Sequence, residues 1–218
     1  MGMIEAVVFD MDGLLVDSEP LWQRARIEAF SAGELDWTDA DQERVMGQST
    51  QGWARLIADK LNHAYSLEQI VERVVGQMEC YYRQSVPLLP GAREAIDLLR
   101  GRYKLGLASG ASYRLLNAVL ESAGWTDVFA EVLSSDDLPR GKPAPDIYLE
   151  ITRRLGVPAE RIAVFEDSAN GILAAYEAGN RVIAVPSYYY QPSSEVLQKA
   201  ALVLPTLADF TLDKLEQL

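Results

Sequence analysis

Ile4-Glu5-Ala6-Val7-Val8-Phe9-Asp10-Met11-Asp12-Gly13 is the stretch that decides the fold of this 218-residue chain. Its apolar run, closed by acids and a glycine, predicts a short buried strand that ends near Asp10. Buried strands of this kind belong to parallel sheets, which bind ligands at the carboxyl ends of their strands. Since such a strand has no structural use for two carboxylates at its tip, Asp10 and Asp12 are candidate functional residues.

The spacing of these two acids carries little information by itself, because Asp39-Ala40-Asp41 repeats it. That second pair follows Thr38 and precedes Gln42-Glu43-Arg44, which is typical of the acidic first turn of a capped helix. Position at the end of a strand, and not the pattern of acids, therefore singles out the first pair.

The composition restricts the class of protein. Hydrophobic residues make up 49% of the chain, and 20 basic against 32 acidic residues leave a formal charge of −12. This charge argues against nucleic acid and anionic membranes as partners, since both are bound through basic surfaces. The single cysteine, Cys80, excludes an internal disulfide, and the sequence shows neither a signal-type segment nor a membrane-spanning apolar run. We therefore expect a cytoplasmic protein.

Two kinds of periodicity divide the chain. Residues 17–86 show helical spacing and no strand-like segment, as in Trp53, Leu56, Ile57 and Leu61. After Pro87, helical segments alternate with apolar strands near Lys104–Ala108, Glu131–Ser134, Arg161–Phe165 and Arg181–Val185. This order predicts an α/β fold: a doubly wound parallel sheet, or Rossmann-like core, over 1–16 and 87–218, with a helical cap over 17–86 inserted after strand 1. An insertion at that point leaves the sheet near its strand ends, so we expect it to act as a lid.

Further polar residues follow the other predicted strands or lie in nearby loops. These are Ser109-Gly110, Lys142 in the loop Arg140-Gly141-Lys142-Pro143, and Glu166-Asp167. Each alone has a structural explanation as a helix cap, a solvated lysine or a helix first turn. Together with the first pair they place four carboxylates, a hydroxyl and an ammonium at one edge of the sheet. Carboxylates gathered in this way repel one another, so a hard divalent cation, most simply Mg²⁺, is the expected partner.

At this level of detail the chain resembles a known superfamily. Four segments carry the resemblance: Val8-Phe9-Asp10-Met11-Asp12-Gly13-Leu14-Leu15-Val16-Asp17-Ser18-Glu19, Ser109, Gly141-Lys142-Pro143 and Phe165-Glu166-Asp167-Ser168. They are similar, in order and spacing, to the four motifs of the haloacid dehalogenase superfamily, and the similarity covers essentially the whole chain. It is greatest to the β-phosphoglucomutase-like subgroup with a helical cap, which includes sugar-phosphate phosphatases such as 2-deoxyglucose-6-phosphatases.

The resemblance implies a role for each residue. Asp10 is the expected nucleophile, which forms an aspartyl phosphate, and Asp12 the expected general acid and base. The carboxylates of Asp10 and Asp167, the backbone carbonyl of Asp12, and Glu166 directly or indirectly, are expected to hold Mg²⁺. Phosphate oxygens are expected to bind Lys142, Ser109 and the backbone N–H of Gly110. The implied protein is a phosphoric monoester hydrolase, a monomer or weak dimer whose partner is a small phosphorylated metabolite.

The cap residues favour hydrolysis over the alternative, a phosphosugar mutase. Mutases of this subgroup use a cap histidine, and Trp22 stands at the equivalent position here. The expected cap loop Gly47-Gln48-Ser49-Thr50 contains no Lys or Arg to hold a second phosphate, whereas Gln48 and Ser49 suit the hydroxyl groups of a sugar or polyol. Arg44 and Arg55 flank the loop and could bind a second phosphate, so a phosphosugar mutase stays an alternative.

A third alternative is a regulatory phospho-acceptor without catalytic activity, because receiver domains also combine acids at strand ends with a Ser or Thr and a Lys. The cap of about 70 residues argues against it, since a solvent-open phospho-acceptor needs no lid; this size is read from the absence of strand patterns.

Overall fold

The computed structural model describes residues 3–45, 50–189 and 191–218. By its backbone contacts the chain divides into two compact units. The first contains Met1–Asp17 and Val86–Leu218, and the second contains Ser18–Ser85. Among the described residues, every helix is too short or too polar to cross a lipid bilayer.

The first unit is built on one parallel sheet of six strands in the order β3-β2-β1-β4-β5-β6. The strands are β1 Ala6–Phe9, β2 Lys104–Ser109, β3 Glu131–Ser134, β4 Ile162–Glu166, β5 Arg181–Ala184 and β6 Leu202–Val203. The helices of this unit are α5 Ala92–Leu99, α6 Tyr113–Ala123, α7 Asp146–Leu155, α8 Ala169–Glu177, α9 Ser194–Leu197 and α10 Leu212–Glu216. This architecture confirms the doubly wound α/β fold that the alternating pattern predicts.

Strand β1 lies at the centre of the sheet, and all of its residues are buried. Successive side chains of a strand point to opposite faces. Ala6 and Val8 therefore join the core cluster that α7 and α8 complete on one face. On the other face Phe9 stacks on Phe165 with ring centroids 4.9 Å apart. Burial on both faces explains why β1 reads as a continuous apolar run.

The second unit consists of helices inserted between β1 and β2. They are α1 Glu19–Glu28, α2 Asp39–Val45, α3 Thr50–Lys60 and α4 Leu67–Gln84. Helix α4 begins with a capping box in which Ser66 and Gln69 each bond the other's backbone N–H. Its buried stripe includes Ile70, Val74 and Met78, at the spacing of one helix face. Gln48 and Ser49, the expected sugar-binding residues, lie outside the described residues.

Some details differ from the sequence-based expectations. Strand β4 runs through Glu166, one residue beyond its predicted end, so this carboxylate belongs to the sheet. Strand β6 was not predicted, because two residues, Leu202 and Val203, are too few to show a periodicity. Its identity as a strand comes only from pairing with β5.

Candidate active site

The site lies between β1 and β4, where the order of the strands in the sheet reverses. From β1 the strand order runs outward through β2 and β3 on one side and through β4, β5 and β6 on the other. Such a switch point opens a crevice at the carboxyl ends of the two central strands, which is where α/β sheets bind ligands. Asp10 follows β1, and its N–H donates to the Phe165 carbonyl of β4 over 3.1 Å. Asp10 is thereby placed beside Glu166 and Asp167.

Three buried carboxylates meet in this crevice. One oxygen from each of Asp10, Glu166 and Asp167 lies within 4.8 Å of the other two. Asp12 is half-buried, and among the described residues it is not part of this carboxylate cluster. The structure thus separates the two acids of the Asp-x-Asp pair into one that joins the cluster and one that stands beside it.

Lys142 bridges two of the three acids. Its Nζ donates to Asp10 Oδ1 at 2.6 Å, to Glu166 Oε1 at 2.5 Å and to the Ala108 carbonyl at 3.3 Å. An ammonium group has three N–H donors, so these bonds hold it in one orientation. Burial alone would lower the pKa of Lys142, but the carboxylates of Asp10 and Glu166 raise that pKa well above its usual range. Lys142 therefore carries its charge at every physiological pH.

Glu166 is held by more donors than the other two acids. Besides Lys142, the Tyr148 hydroxyl donates to its Oε1, and the Ser168 hydroxyl donates to its Oε2 at 3.2 Å. Gly171 packs directly against this carboxylate, since a Cβ added at Gly171 would lie 1.9 Å from Glu166 Oε1. The Glu166 carboxylate is therefore locked in place from both sides.

The charge balance of the cluster fits a divalent cation. Three ionised carboxylates and one ammonium leave a net charge of −2 in a buried site. Burial raises the pKa of Asp10 to about 7, against the opposing effect of Lys142 and with added repulsion from Glu166. Burial and then Glu166 and Asp10 likewise raise the pKa of Asp167 well above its usual range. A hard cation with a preference for oxygen ligands would remove this cost.

A tight turn brings the backbone after β1 against Asp167. The N–H groups of Leu15 and Val16 both donate to the Met11 carbonyl, at 2.9 and 3.1 Å. Gly13 adopts a φ of +80°, and a Cβ there would lie 2.2 Å from Asp167 Oδ2. Glycine is required at this position both by conformation and by space.

Strand β2, the other neighbour of β1, ends in the predicted phosphate-binding residues. The Ser109 side chain is buried, and its Oγ accepts a hydrogen bond from the Ala111 N–H at 3.0 Å. Gly110 is exposed, with open space where a Cβ would stand. Helix α6 begins just after this loop, so its first N–H groups are close to the same strand end.

Comparison with known proteins identifies the family. A family model described as haloacid dehalogenase-like hydrolase matches residues 4–179. This chain belongs to the haloacid dehalogenase-like hydrolases. The match spans all four motifs and both compact units, which confirms the resemblance seen in the sequence.

Relatives with stated activities place the chain more closely within the haloacid dehalogenase-like hydrolases. It is similar to hexitol phosphatase B of Escherichia coli (strain K12), with 36% identity over 187 residues and 84% of each chain covered. It is also similar to the phosphorylated carbohydrates phosphatase of Thermotoga maritima, with 31% identity over 202 residues, 92% of this chain and 94% of the relative. The crystal structure of CbbY from Rhodobacter sphaeroides in complex with phosphate superposes with a TM-score of 0.84 at 30% identity, and the match covers 98% of this chain and 99% of that one.

Within this haloacid dehalogenase-like site, the sequence did not assign a role to two contributors, Tyr148 and Ser168. Tyr148 lies on α7 next to Ile147 and in the same stripe as Ile151, so its spacing indicates a core residue. In the structure its hydroxyl bonds Glu166, and its ring centroid lies 5.0 Å from the Lys142 ammonium. The position of Ser168 indicates the cap of α8, and the structure confirms it. The Ser168 hydroxyl also donates a hydrogen bond to Glu166.

The second Asp-x-Asp pair has the structural role that its context predicts. Asp39 and Asp41 lie in the first turn of α2, and Asp41 exchanges hydrogen bonds with Thr38 just before the helix. Lys60 pairs with Asp41 at 2.6 Å. This contact joins α3 to α2 and could not be inferred from helix periodicity.

Proposed function

We propose that this chain is a Mg²⁺-dependent phosphatase that hydrolyses small phosphate monoesters of sugars or polyols through an aspartyl phosphate on Asp10. Membership of the family and the phosphatase activities of its relatives support the general class, a phosphoric monoester hydrolase. The observation that carries the finer proposal is the Asp10 carboxylate at the switch point, bonded to Lys142 and clustered with Asp167.

In the proposed first step, an Asp10 carboxylate oxygen attacks phosphorus, and the bond from phosphorus to the alcohol oxygen breaks. Asp12 supplies the proton that the departing alkoxide needs, because an alkoxide is a poor leaving group. In the second step water attacks the phosphorus of the aspartyl phosphate, Asp12 accepts the water proton, and the Asp10 carboxylate is released with inorganic phosphate.

Several groups would stabilise the transferred phosphoryl group. The Lys142 ammonium, held beside Asp10, offsets repulsion between the carboxylate and the phosphate oxygens. Ser109 and the Gly110 N–H are proposed to bind the phosphate oxygens at the end of β2. These groups come from the end of β2, which neighbours β1, and from the loop before α7.

Asp10, Asp167 and the Asp12 carbonyl are the proposed direct ligands of Mg²⁺. When bound, the cation would supply positive charge that lowers the carboxyl pKa of Asp10 and stabilises the transition state. Glu166 is proposed to act through its neighbours, because three side-chain donors already bond its two oxygens.

Selection of the alcohol is assigned to the helical unit. Gln48 and Ser49 are proposed to bond the hydroxyl groups of the substrate, and hexitol phosphates are the first class to test, since a similar protein is named hexitol phosphatase B. Trp22 at the position of the mutase histidine favours release of phosphate over its return to a sugar.

The decisive experiment is a panel of hexitol, hexose, nucleotide and glycolate phosphates, scored for both phosphate release and sugar-phosphate isomerisation, with Mg²⁺ and with EDTA. We expect phosphate release from sugar or hexitol phosphates that EDTA abolishes. Isomerisation without release would favour the mutase, and a stable phosphoprotein with neither activity would favour a regulatory role.

A matched pair of variants tests the nucleophile. Asp10→Asn is expected to abolish turnover and leave the fold intact, while Asp39→Asn, at the exposed position of the second acid pair, is expected to keep full activity. Near-normal turnover by Asp10→Asn would remove this residue from the mechanism.

A further inference from the structure

The ends of β2 and β3 carry a pair of buried serines. Ser109 and Ser134 are register partners at the last position of their strands, and both side chains are almost completely buried. A buried hydroxyl is costly unless it makes hydrogen bonds, so the bonds of each serine indicate its purpose.

Both serines bond the same residue, Ala111, in the loop that follows β2. The Ala111 N–H donates to Ser109 Oγ at 3.0 Å, and the Ala111 carbonyl accepts from Ser134 Oγ at 2.7 Å. Ser134 Oγ also accepts from the Asp136 N–H at 3.1 Å. Ala111 is therefore held at its N–H and at its carbonyl, and neither adjoining peptide plane can rotate freely.

The two serines differ in whether the hydroxyl donor is already used in a hydrogen bond. A serine hydroxyl has one O–H donor. Ser134 commits its donor to Ala111, whereas in the bonds between described residues Ser109 Oγ acts only as an acceptor. The O–H of Ser109 can therefore point to a ligand, in an orientation set by the Ala111 N–H.

A second bond ties the same two segments together. The Tyr113 hydroxyl, at the first position of α6, donates to Asp137 Oδ2 at 2.6 Å in the segment after β3. Residues 109–113 are thus fastened to residues 134–137 at two points.

We propose that Ser134 is a positioning residue for phosphate binding: it holds the loop 109–112 so that Ser109 O–H and the Gly110 N–H are already oriented when a phosphate group arrives. Ser134 does not touch the phosphate. Its effect follows from preorganisation, since a loop that is ordered before binding costs less free energy to order on binding. The inference rests on the proposed function in taking this loop as the phosphate-gripping element.

The test measures binding of inorganic phosphate in the presence of Mg²⁺ by isothermal titration calorimetry, together with steady-state kinetics. Ser134→Ala is expected to raise the phosphate dissociation constant and KM by about threefold to tenfold, the ratio that one neutral hydrogen bond provides. kcat should stay within about twofold, because the loop grips phosphate oxygens similarly in the ground and transition states.

Ser135→Ala is the matched control. Ser135 is the next residue, and its buried Oγ has no hydrogen-bond partner among the described residues. The control should leave phosphate affinity unchanged. Equal affinity for Ser134→Ala and Ser135→Ala would overturn the inference, even if Ser134→Ala were less stable to heat.

Tyr113→Phe keeps the inference testable if Ser134→Ala does not fold, because the tyrosine is partly exposed and the change removes only its hydroxyl group, which bonds Asp137. Tyr113→Phe should raise the phosphate dissociation constant, as Ser134→Ala does. An unchanged dissociation constant would count against the proposal that residues 134–137 hold the loop 109–112. A wild-type chain that binds phosphate but hydrolyses no ester would refute the proposed function and leave the binding comparison valid. A wild-type chain with no measurable phosphate binding would overturn the inference itself.

Discussion

At the residue scale, the buried acids of the crevice differ in how they are held. Lys142 bonds Asp10 and Glu166, whereas Tyr148 and Ser168 hold only Glu166. A carboxylate with several fixed donors keeps its position and charge, and one with fewer donors can exchange a proton or accept a cation. Glu166 is therefore the more firmly held of these two carboxylates, with donors from Lys142, Tyr148 and Ser168.

Mg²⁺ is expected to raise the midpoint of thermal unfolding more at pH 8 than at pH 5.5. Burial raises the folded-state carboxyl pKa of Asp10 from 3.8 to about 7. The metal-free protein therefore loses stability as the pH rises from 3.8 through about 7, because the unfolded chain releases this proton more readily. The cation offsets that loss above pH 7 and competes with the proton below it.

Differential scanning calorimetry at constant ionic strength measures this effect. Asp10→Asn serves as the control, because it removes one titrating ligand and should reduce the difference between the two pH values. A Mg²⁺-induced shift of equal size at both pH values would contradict the prediction.

Gly171→Ala is expected to lower kcat/KM by about a hundredfold, the size of effect that follows from moving a catalytic group by about 1 Å. The new Cβ would lie 1.9 Å from Glu166 Oε1, so the carboxylate and the Lys142 bonded to it must shift. Asn170→Ala, one residue earlier in α8 and exposed, is the control and should keep its activity. Steady-state kinetics and far-ultraviolet circular dichroism decide between a local shift and unfolding, and full activity of Gly171→Ala would refute the steric argument.

At the element scale, the helix α8 begins directly after the acids of β4, and one serine serves both. Ser168 Oγ accepts from the Gly171 N–H at 3.0 Å, which caps the helix, and it donates to Glu166 Oε2 at 3.2 Å. A helix start is thus used to fix a carboxylate at a strand end. Capping and site geometry are coupled through a single hydroxyl group.

Ser168→Ala is expected to lower the free energy of unfolding by about 1 kcal/mol, the usual value of a helix cap. It should also lower kcat/KM, because Glu166 loses a donor. Ser66→Ala removes the comparable cap of α4, far along the chain from these motifs, and should cost similar stability without loss of activity. Urea unfolding and kinetics on both variants measure the two effects; if their activities fall equally, Ser168 has no role beyond the cap.

At the scale of the whole molecule, the chain leaves and re-enters the first unit at paired backbone segments. The Asp17 N–H donates to the Pro87 carbonyl at 2.8 Å, and the Leu89 N–H donates to the Leu15 carbonyl at 2.9 Å. The sheet is therefore continuous although residues 18–85 form a separate unit. The sheet brings the carboxylates of Asp10, Glu166 and Asp167 together from distant segments of the sequence.

Hydrogen exchange should reveal this assembly in the intact protein. Mg²⁺ with inorganic phosphate is expected to slow amide exchange at residues 10–13, 109–112 and 166–171, since these segments follow the strands that meet at the switch point. Residues 101–103, before β2 at the opposite edge, provide the internal control. Slower exchange spread evenly over both edges would indicate general stabilisation and would contradict a site confined to the strand ends.

Comparison of sequence and structure shows which features are locally encoded. The run before Asp10 and the helical spacing of Trp53 and Ile57 were predicted because helix and strand periods reflect burial directly. The order of the motifs was enough to identify the family. The Lys60–Asp41 pair and β6 were not predicted, because both depend on contacts between elements distant in sequence.

The sequence by itself determined the doubly wound fold, the family, and the group of polar residues at the strand ends. Only the tertiary structure decided that Tyr148 and Ser168 hold Glu166, that Asp12 stands apart from the carboxylate cluster, and that Ser134 bonds the loop after Ser109. The physical reason is that local patterns report whether a residue is buried. The partner of a buried polar group is set by which distant elements pack against it, and no local period contains that information.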